Sequence, residues 1–172
     1  MAMLSFDIRS LEARAEVVEG VLESADPVWE ADDVAPVPPG ATVTGRLSGA
    51  GHGRFYFSGE LEGEAVTPCR RCLREVTSSV HEEVNFLFAE SGVDEADEDD
   101  VFPIPPGSRE LDLRPAVREA WLLAVPQFAL CMEDCKGLCP TCGADRNTGE
   151  CTCAPVADPR WAGLRELRSS DA

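Results

Sequence analysis

Residues 60–80 read Glu60-Leu-Glu-Gly-Glu-Ala-Val-Thr-Pro-Cys69-Arg-Arg-Cys72-Leu-Arg-Glu-Val-Thr-Ser-Ser-Val80. Apolar residues alternate with polar ones up to Val66, Pro68 interrupts, a C-x2-C pair follows, and a β-branched run resumes after Leu73. The pattern predicts two antiparallel strands with Cys69 and Cys72 at the tip of the hairpin. That position suits a metal, because two cysteines with two residues between them can face one ion from a single tight turn.

Working outward, Glu83–Phe88 continues the returning strand. Upstream, Ala41–Leu47 and Arg54–Ser58 flank the glycine-rich turn Gly49–Gly53 and read as a second hairpin. Leu4–Ile8 reads as a short strand, Arg9–Arg14 as a helical turn or two, and Val17–Leu22 as a strand on its valine content. Ser24–Gly40 is acidic and proline-rich and reads as a loop. Ser91–Asp100 is a dense acidic run with too little apolar content to pack. A solvated loop is the plain reading, and a decoy for basic segments or a screen against RNA is the sharper one. Leu111-Asp-Leu113 precedes a helix at about 114–124, with Pro115 in its first turn. Its apolar face is read as Val117, Trp121 and Leu122, with Leu123 and Val125 crowding its end. Asp158-Pro159 opens a terminal helix carrying Trp161, Leu164 and Leu167. The expected fold class is α+β: an antiparallel β-sheet, open or barrel-like, with a few flanking helices and a C-terminal Cys-rich zinc-binding segment. The expected division is a sheet body over 1–130, and a knuckle segment with terminal helix over 131–172 that packs on the body.

The other cysteines complete the metal pattern. The chain holds eight in all, and six lie in Cys131-Met-Glu-Asp-Cys135-Lys-Gly-Leu-Cys139-Pro-Thr-Cys142-Gly143 and Cys151-Thr-Cys153. Zinc takes four thiolates at tetrahedral angles. In Cys139-Pro-Thr-Cys142-Gly143 the proline fixes φ after the first ligand, and the glycine accepts positive φ after the second. Asn147-Thr-Gly149 supplies a turn that lets the chain double back. Site one is therefore assigned to Cys139, Cys142, Cys151 and Cys153. By elimination, site two takes Cys69, Cys72, Cys131 and Cys135 and would pin the C-terminal segment to the body. Two structural zinc ions per chain follow. The competing readings are disulfides, a redox C-x-x-C at Cys69–Cys72, and iron in place of zinc. An N-terminus without a basic start or an apolar stretch speaks for a reduced, cytoplasmic setting, which disfavours disulfides.

The formal net charge is −17, with 32 acidic against 15 basic residues. A free-standing nucleic-acid binder normally shows a basic face, so the expected partner is a basic protein or a local patch on a large assembly. Arg70, Arg71 and Arg74 beside the first cysteine pair, with Lys136 and Arg146, would form a local basic rim for RNA or a partner. Ordinary surface arginines are the alternative. No apolar run is long enough to span a bilayer as a helix. No phosphate loop, dinucleotide fingerprint, nucleophile elbow or H-E-x-x-H motif is present, and no small-molecule substrate is indicated. His52 and His81 read as structural or exposed.

The succession Cys69-Arg-Arg-Cys72-Leu73, Leu111-Asp-Leu113, Leu123-Ala-Val-Pro126, Cys131 through Gly143, Cys151-Thr-Cys153 and Asp158 through Leu167 resembles the bacterial YceD family, the large ribosomal RNA subunit accumulation proteins. The likeness runs from Cys69 to the C-terminus apart from the acidic insert. The resemblance implies a role in accumulation or maturation of large-subunit rRNA, and hence in large-subunit assembly, with no known catalytic activity. The expected function is a non-enzymatic factor whose zinc sites order a surface that docks on large-subunit rRNA precursor or a basic large-subunit ribosomal protein. A metal- or thiol-dependent enzyme (nuclease or redox protein), an acidic chaperone for a basic ribosomal protein, and a zinc-ribbon transcription regulator are the alternatives. Against the enzyme stand two closed four-cysteine sites, and against the regulator the negative charge.

Overall fold

The computed structural model describes residues 4–31, 37–51, 53–90, 100–149, 151–154 and 160. His52, nearly all of the acidic run and the expected terminal helix lie outside the described residues, apart from Asp100 and Arg160. The chain divides into two compact units, Met1–Thr67 with Val76–Ala129, and Pro68–Glu75 with Leu130–Ala172. They are called here the sheet unit and the cysteine unit.

The sheet unit begins with β1 (Ser5–Asp7) and α1 (Ile8–Ala13). Asp7 caps α1 by accepting from the backbone N–H groups of Arg9 and Ser10, which would otherwise lack intrahelical partners. β2 (Glu16–Glu23), β3 (Gly40–Gly51), β4 (Arg54–Pro68) and β5 (Glu75–Glu90) follow. Then come β6 (Val101–Ile104), β7 (Glu110–Asp112) and α2 (Arg114–Ala124). The main sheet runs β2-β3-β4-β5-β6, and β1 pairs with β7 in a separate two-stranded ribbon.

Two corrections to the expected sheet emerge. β6 pairs with β5 in parallel, Leu87 opposite Val101 and Glu90 opposite Ile104, so the sheet is mixed. Among the described residues no β2–β6 pairing closes it into a barrel. Pro103 suits β6, because an edge strand has one side that needs no backbone donor. The expected loop at 24–40 contains a 3₁₀ turn, Pro27–Ala31, which buries Trp29 and lets its indole N–H donate to the Glu23 carbonyl. In α2, Ala116, Val117 and Trp121 are buried, whereas Leu123 is 80% exposed. Two residues past Trp121 at about 100° each, Leu123 points away from the packed face.

The odd-numbered positions of β4 face the core: Phe55, Phe57, Leu61 and Ala65 are buried, with Gly59 and Gly63 between them. Those glycines are needed for close approach. A Cβ at Gly63 would lie 2.7 Å from Trp121, and one at Gly59 would lie 2.7 Å from the Phe57 ring. The Phe57 ring stacks on Phe86 at 5.6 Å, and Phe86, Phe88 and Phe102 continue the cluster across β5 and β6. On the solvent face, His81 meets Glu62 at 2.9 Å across the sheet, a surface pair with both side chains more than half exposed.

Trp121, fully buried on Gly63, should therefore be a main support of this unit. Trp121→Ala is expected to destabilise it by about 3–5 kcal/mol, read as a lower urea midpoint by circular dichroism. Gly63→Val should cost about 1–3 kcal/mol by overpacking.

Candidate metal centres

The eight cysteines are free thiols gathered into two groups, Cys69, Cys72, Cys131, Cys135 and Cys139, Cys142, Cys151, Cys153. Within each group the four sulfurs lie within 4.8 Å of one another. The nearest approaches in the first group are Cys69 to Cys135 at 3.9 Å and Cys72 to Cys131 at 3.5 Å. Four sulfurs about 2.3 Å from a central zinc stand about 3.8 Å apart when tetrahedral, so the donor set and its spacing fit a four-thiolate metal ion. Both groups lie wholly in the cysteine unit.

Each C-x-x-C pair sits in the same local frame. The N–H of Cys69 donates to the Arg74 carbonyl at 2.7 Å, and that of Cys139 to the Ala144 carbonyl at 2.8 Å. The N–H of Leu73 donates back to the Cys69 carbonyl, as Gly143 does to Cys139, both at 2.9 Å. Gly143 takes positive φ (73°), as its position predicts, and Leu73 takes it too (60°). A leucine in that region is strained, and nothing in the first pair's sequence announces it. The other two pairs use different geometry: Cys135 closes a turn by donating to the Met132 carbonyl, and Cys151–Cys153 is irregular backbone.

Backbone donors split the thiols in each group. Cys69 is pulled down to about 6 by the N–H of Cys131, with help from those of Arg71 and Cys72 against the effect of burial. Cys139 is pulled down to about 6 by the N–H groups of Cys142 and Thr141. Cys131 is pushed up to about 12 by burial and by the adjoining Cys72 and Cys135. Cys153 is pushed up to about 12 by the Cys142 thiol and then by burial. Each group thus has one sulfur ready to bind as thiolate and one that holds its proton until a cation displaces it.

The five residues expected to form a basic rim are placed differently. Arg71, though exposed, is engaged along the backbone, its Nη1 donating to the Glu133 and Cys135 carbonyls at 3.2 and 2.9 Å. Arg74 pairs with Asp145 at 3.3 Å. Arg70 is exposed in the turn between Cys69 and Cys72. Lys136 and Arg146 come together on a groove of about 410 Å³ that is also lined by Cys139, Thr141, Cys151 and Cys153. Sequence reasoning missed Asp145 and Asn147, which bind the backbone between the groups: Asn147 accepts from the Lys136 N–H at 2.8 Å and its amide donates to Asp145 at 2.7 Å. The only available signal was the turn-forming character of Asn147-Thr-Gly149.

A profile of the family described as large ribosomal RNA subunit accumulation protein YceD matches residues 57–168. The chain belongs to the YceD family. The matched span holds all eight cysteines. An uncharacterized protein of Mycobacterium tuberculosis is 34% identical to the chain over 113 residues, 64% of this chain and 54% of that protein. The protein YlbN of Bacillus subtilis is 31% identical over 117 residues, 67% of each. The chloroplastic large ribosomal RNA subunit accumulation protein YCED homolog 1 of Zea mays is 26% identical, over 87% of this chain and 59% of that one. The chain spans about half the length of the mycobacterial relatives it matches. No solved structure matches.

The pKa split gives a signed expectation for this YceD protein. Protons compete with metal for thiolate, so metal affinity should fall as the pH falls, and fall more steeply below about 6, where the metal-free Cys69 and Cys139 also protonate. Loading at pH 7.5 should release protons, since Cys131 and Cys153 otherwise keep theirs. A chromophoric chelator and an unbuffered proton-release assay measure the two. At saturating metal, Cys69→Ser/Cys72→Ser and Cys139→Ser/Cys142→Ser should each lower the content from two ions per chain to one.

Proposed function

We propose that the chain promotes the accumulation of large-subunit ribosomal RNA as a non-catalytic assembly factor. In this reading two structural zinc ions order the cysteine unit as a docking surface for rRNA precursor, in a cytoplasmic setting. The observation that carries it is the pair of four-thiolate groups in one small unit, together with Lys136 and Arg146 on a groove beside the second group. Family membership and the name of the maize relative point to rRNA accumulation. Soft all-sulfur sets suit zinc or a single iron, and a redox-inert ion suits a purely structural role. Four protein sulfurs fill a tetrahedral shell and leave no position for a substrate, which favours a scaffold over a metal-dependent enzyme.

In this reading the RNA contact is narrower than the five-residue rim expected from sequence. Arg71 and Arg74 are engaged with carbonyls and with Asp145, so their first duty is to hold the cysteine unit together. Lys136 and Arg146 are the exposed cations of the groove. They are the better candidates for phosphate, with Arg70 at the knuckle tip beside them in role. A chaperone for a basic ribosomal protein is the second reading. It is favoured by the charge of −17 and by exposed Glu60, Glu62 and Glu64 on the solvent face of β4.

Affinity capture from cells at modest salt, with RNA and protein identification, separates the two. Immature large subunits in the eluate support the assembly factor, whereas a free complex with one basic protein and no RNA supports the chaperone. Lys136→Glu/Arg146→Glu should weaken recovery of large-subunit RNA and make the slope of log K against log salt shallower by about one per lost phosphate contact. Metal content should stay at two ions per chain. Unchanged recovery would remove the groove from the interface.

A further inference from the structure

Asn147 lies in the chain segment between Cys142 and Cys151, two ligands of one group, yet its side chain reaches the other group. Its Nδ2 donates to the sulfur of Cys135 at 3.4 Å, while its Oδ1 accepts the N–H of Lys136, the next residue, at 2.8 Å. The amide thus clasps Cys135 from both sides of one peptide unit. Asp145 fixes the clasp, since its Oδ1 accepts from both the Asn147 backbone N–H, at 2.8 Å, and its Nδ2, at 2.7 Å. The other carboxylate oxygen of Asp145 is held by Arg74, which follows the Cys69–Cys72 knuckle. The Arg146 N–H donates to the Gly137 carbonyl at 3.0 Å, and the Leu138 N–H to the Arg71 carbonyl at 3.0 Å. Gly137 has φ 71°, and a Cβ there would stand 2.8 Å from the Arg71 carbonyl, so the backbone approaches too closely for any side chain.

We infer that Asn147 is a positioning residue shared by the two metal centres, and that it makes metal binding at Cys69, Cys72, Cys131 and Cys135 depend on metal binding at Cys139, Cys142, Cys151 and Cys153. Closing the second group around an ion fixes Cys142 and Cys151, the two ligands that flank Asn147 in the chain. The fixed segment presents the Asn147 N–H to Cys135. An N–H aimed at a thiolate stabilises its charge and orients its lone pairs, and partners of this kind are worth roughly 10–100-fold in metal affinity. The coupling is reciprocal: an ion bound through Cys135 holds Asn147 and favours closure of the other group.

The inference rests on both groups being metal centres, so its test first establishes that. ¹¹³Cd-loaded wild-type protein should show two resonances in the all-sulfur range, and fewer than two would overturn the metal reading itself. Cys139→Ser/Cys142→Ser, which keeps only the other centre, assigns the signals. Chelator competition followed resonance by resonance then gives each affinity. Asn147→Ala should weaken the centre containing Cys135 by roughly 10–100-fold. Asn147→Asp retains an acceptor for the Lys136 N–H but loses the donor to sulfur, and should weaken it as much. Cys139→Ser/Cys142→Ser should weaken the same centre by a similar factor, with little further loss when Asn147→Ala is added, because the two changes remove one interaction. A persistent all-sulfur resonance shows that the centre still forms in each variant. Wild-type affinity at that centre in Asn147→Ala, or in Cys139→Ser/Cys142→Ser, or losses that simply add, would overturn the coupling. Wild-type affinity in Asn147→Asp alone would overturn the donor role.

Discussion

The cysteine unit has no apolar core among its described residues. Among its described residues the buried side chains are those of Cys69, Cys72, Cys135 and Cys139, and the one other buried residue there is Gly137. Met132 and Leu73, large apolar residues of this unit, are exposed. The described part, with so little to remove from water, cannot offset its own conformational entropy by the hydrophobic effect. In the proposed reading sulfur–metal bonds would be the remaining source for that part, since in zinc-knuckle units the free energy of metal binding is the free energy of folding. The local hydrogen bonds, the Arg71 bridges and the Asn147 clasp matter because they set four sulfurs at one spacing.

The sheet unit is stabilised in the opposite way. Its core is continuous from Leu11 and Val18 through Phe55, Phe57 and Leu61 to Val117 and Trp121. The ring of Phe57 and the indole of Trp121 lie over glycines of the strands beneath them. Aromatic area replaces the missing side chains, so β3 and β4 lose little by carrying glycine at Gly45, Gly59 and Gly63. The long β4 and β5 strands lead to and from Pro68–Glu75.

Much of this was legible before any coordinates. The hairpin tip, the α2 helix and the grouping of cysteines follow from spacing and periodicity, which are local properties. Gly143 was legible because glycine after a C-x-x-C pair has one strong reason to be there. Leu73 was not, since leucine gives no sign of positive φ and its conformation is imposed by the hydrogen bonds of the knuckle. The parallel β6 was hidden because Val101–Ile104 is short, carries a proline, and pairs by way of a return path that periodicity does not encode. Arg71 and Arg74 looked like free cations because carbonyls and a carboxylate far away in sequence are invisible to composition. Leu123 was misplaced by treating a crowded apolar run as one face.

The first knuckle has a consequence during synthesis. Cys69 and Cys72 precede Cys131 with 58 residues between Cys72 and Cys131, so at roughly 5–20 residues per second the first pair of thiols waits several seconds for its partners. All four members of the other group lie within one later, contiguous stretch. Completion of the earlier pair is thus governed by elongation rate and by the supply of reduced thiol and metal during that interval. Slow translation through residues 91–100 would lengthen the exposure of both early thiols to oxidants, and the Cys131 N–H that lowers the Cys69 pKa arrives only when that interval ends.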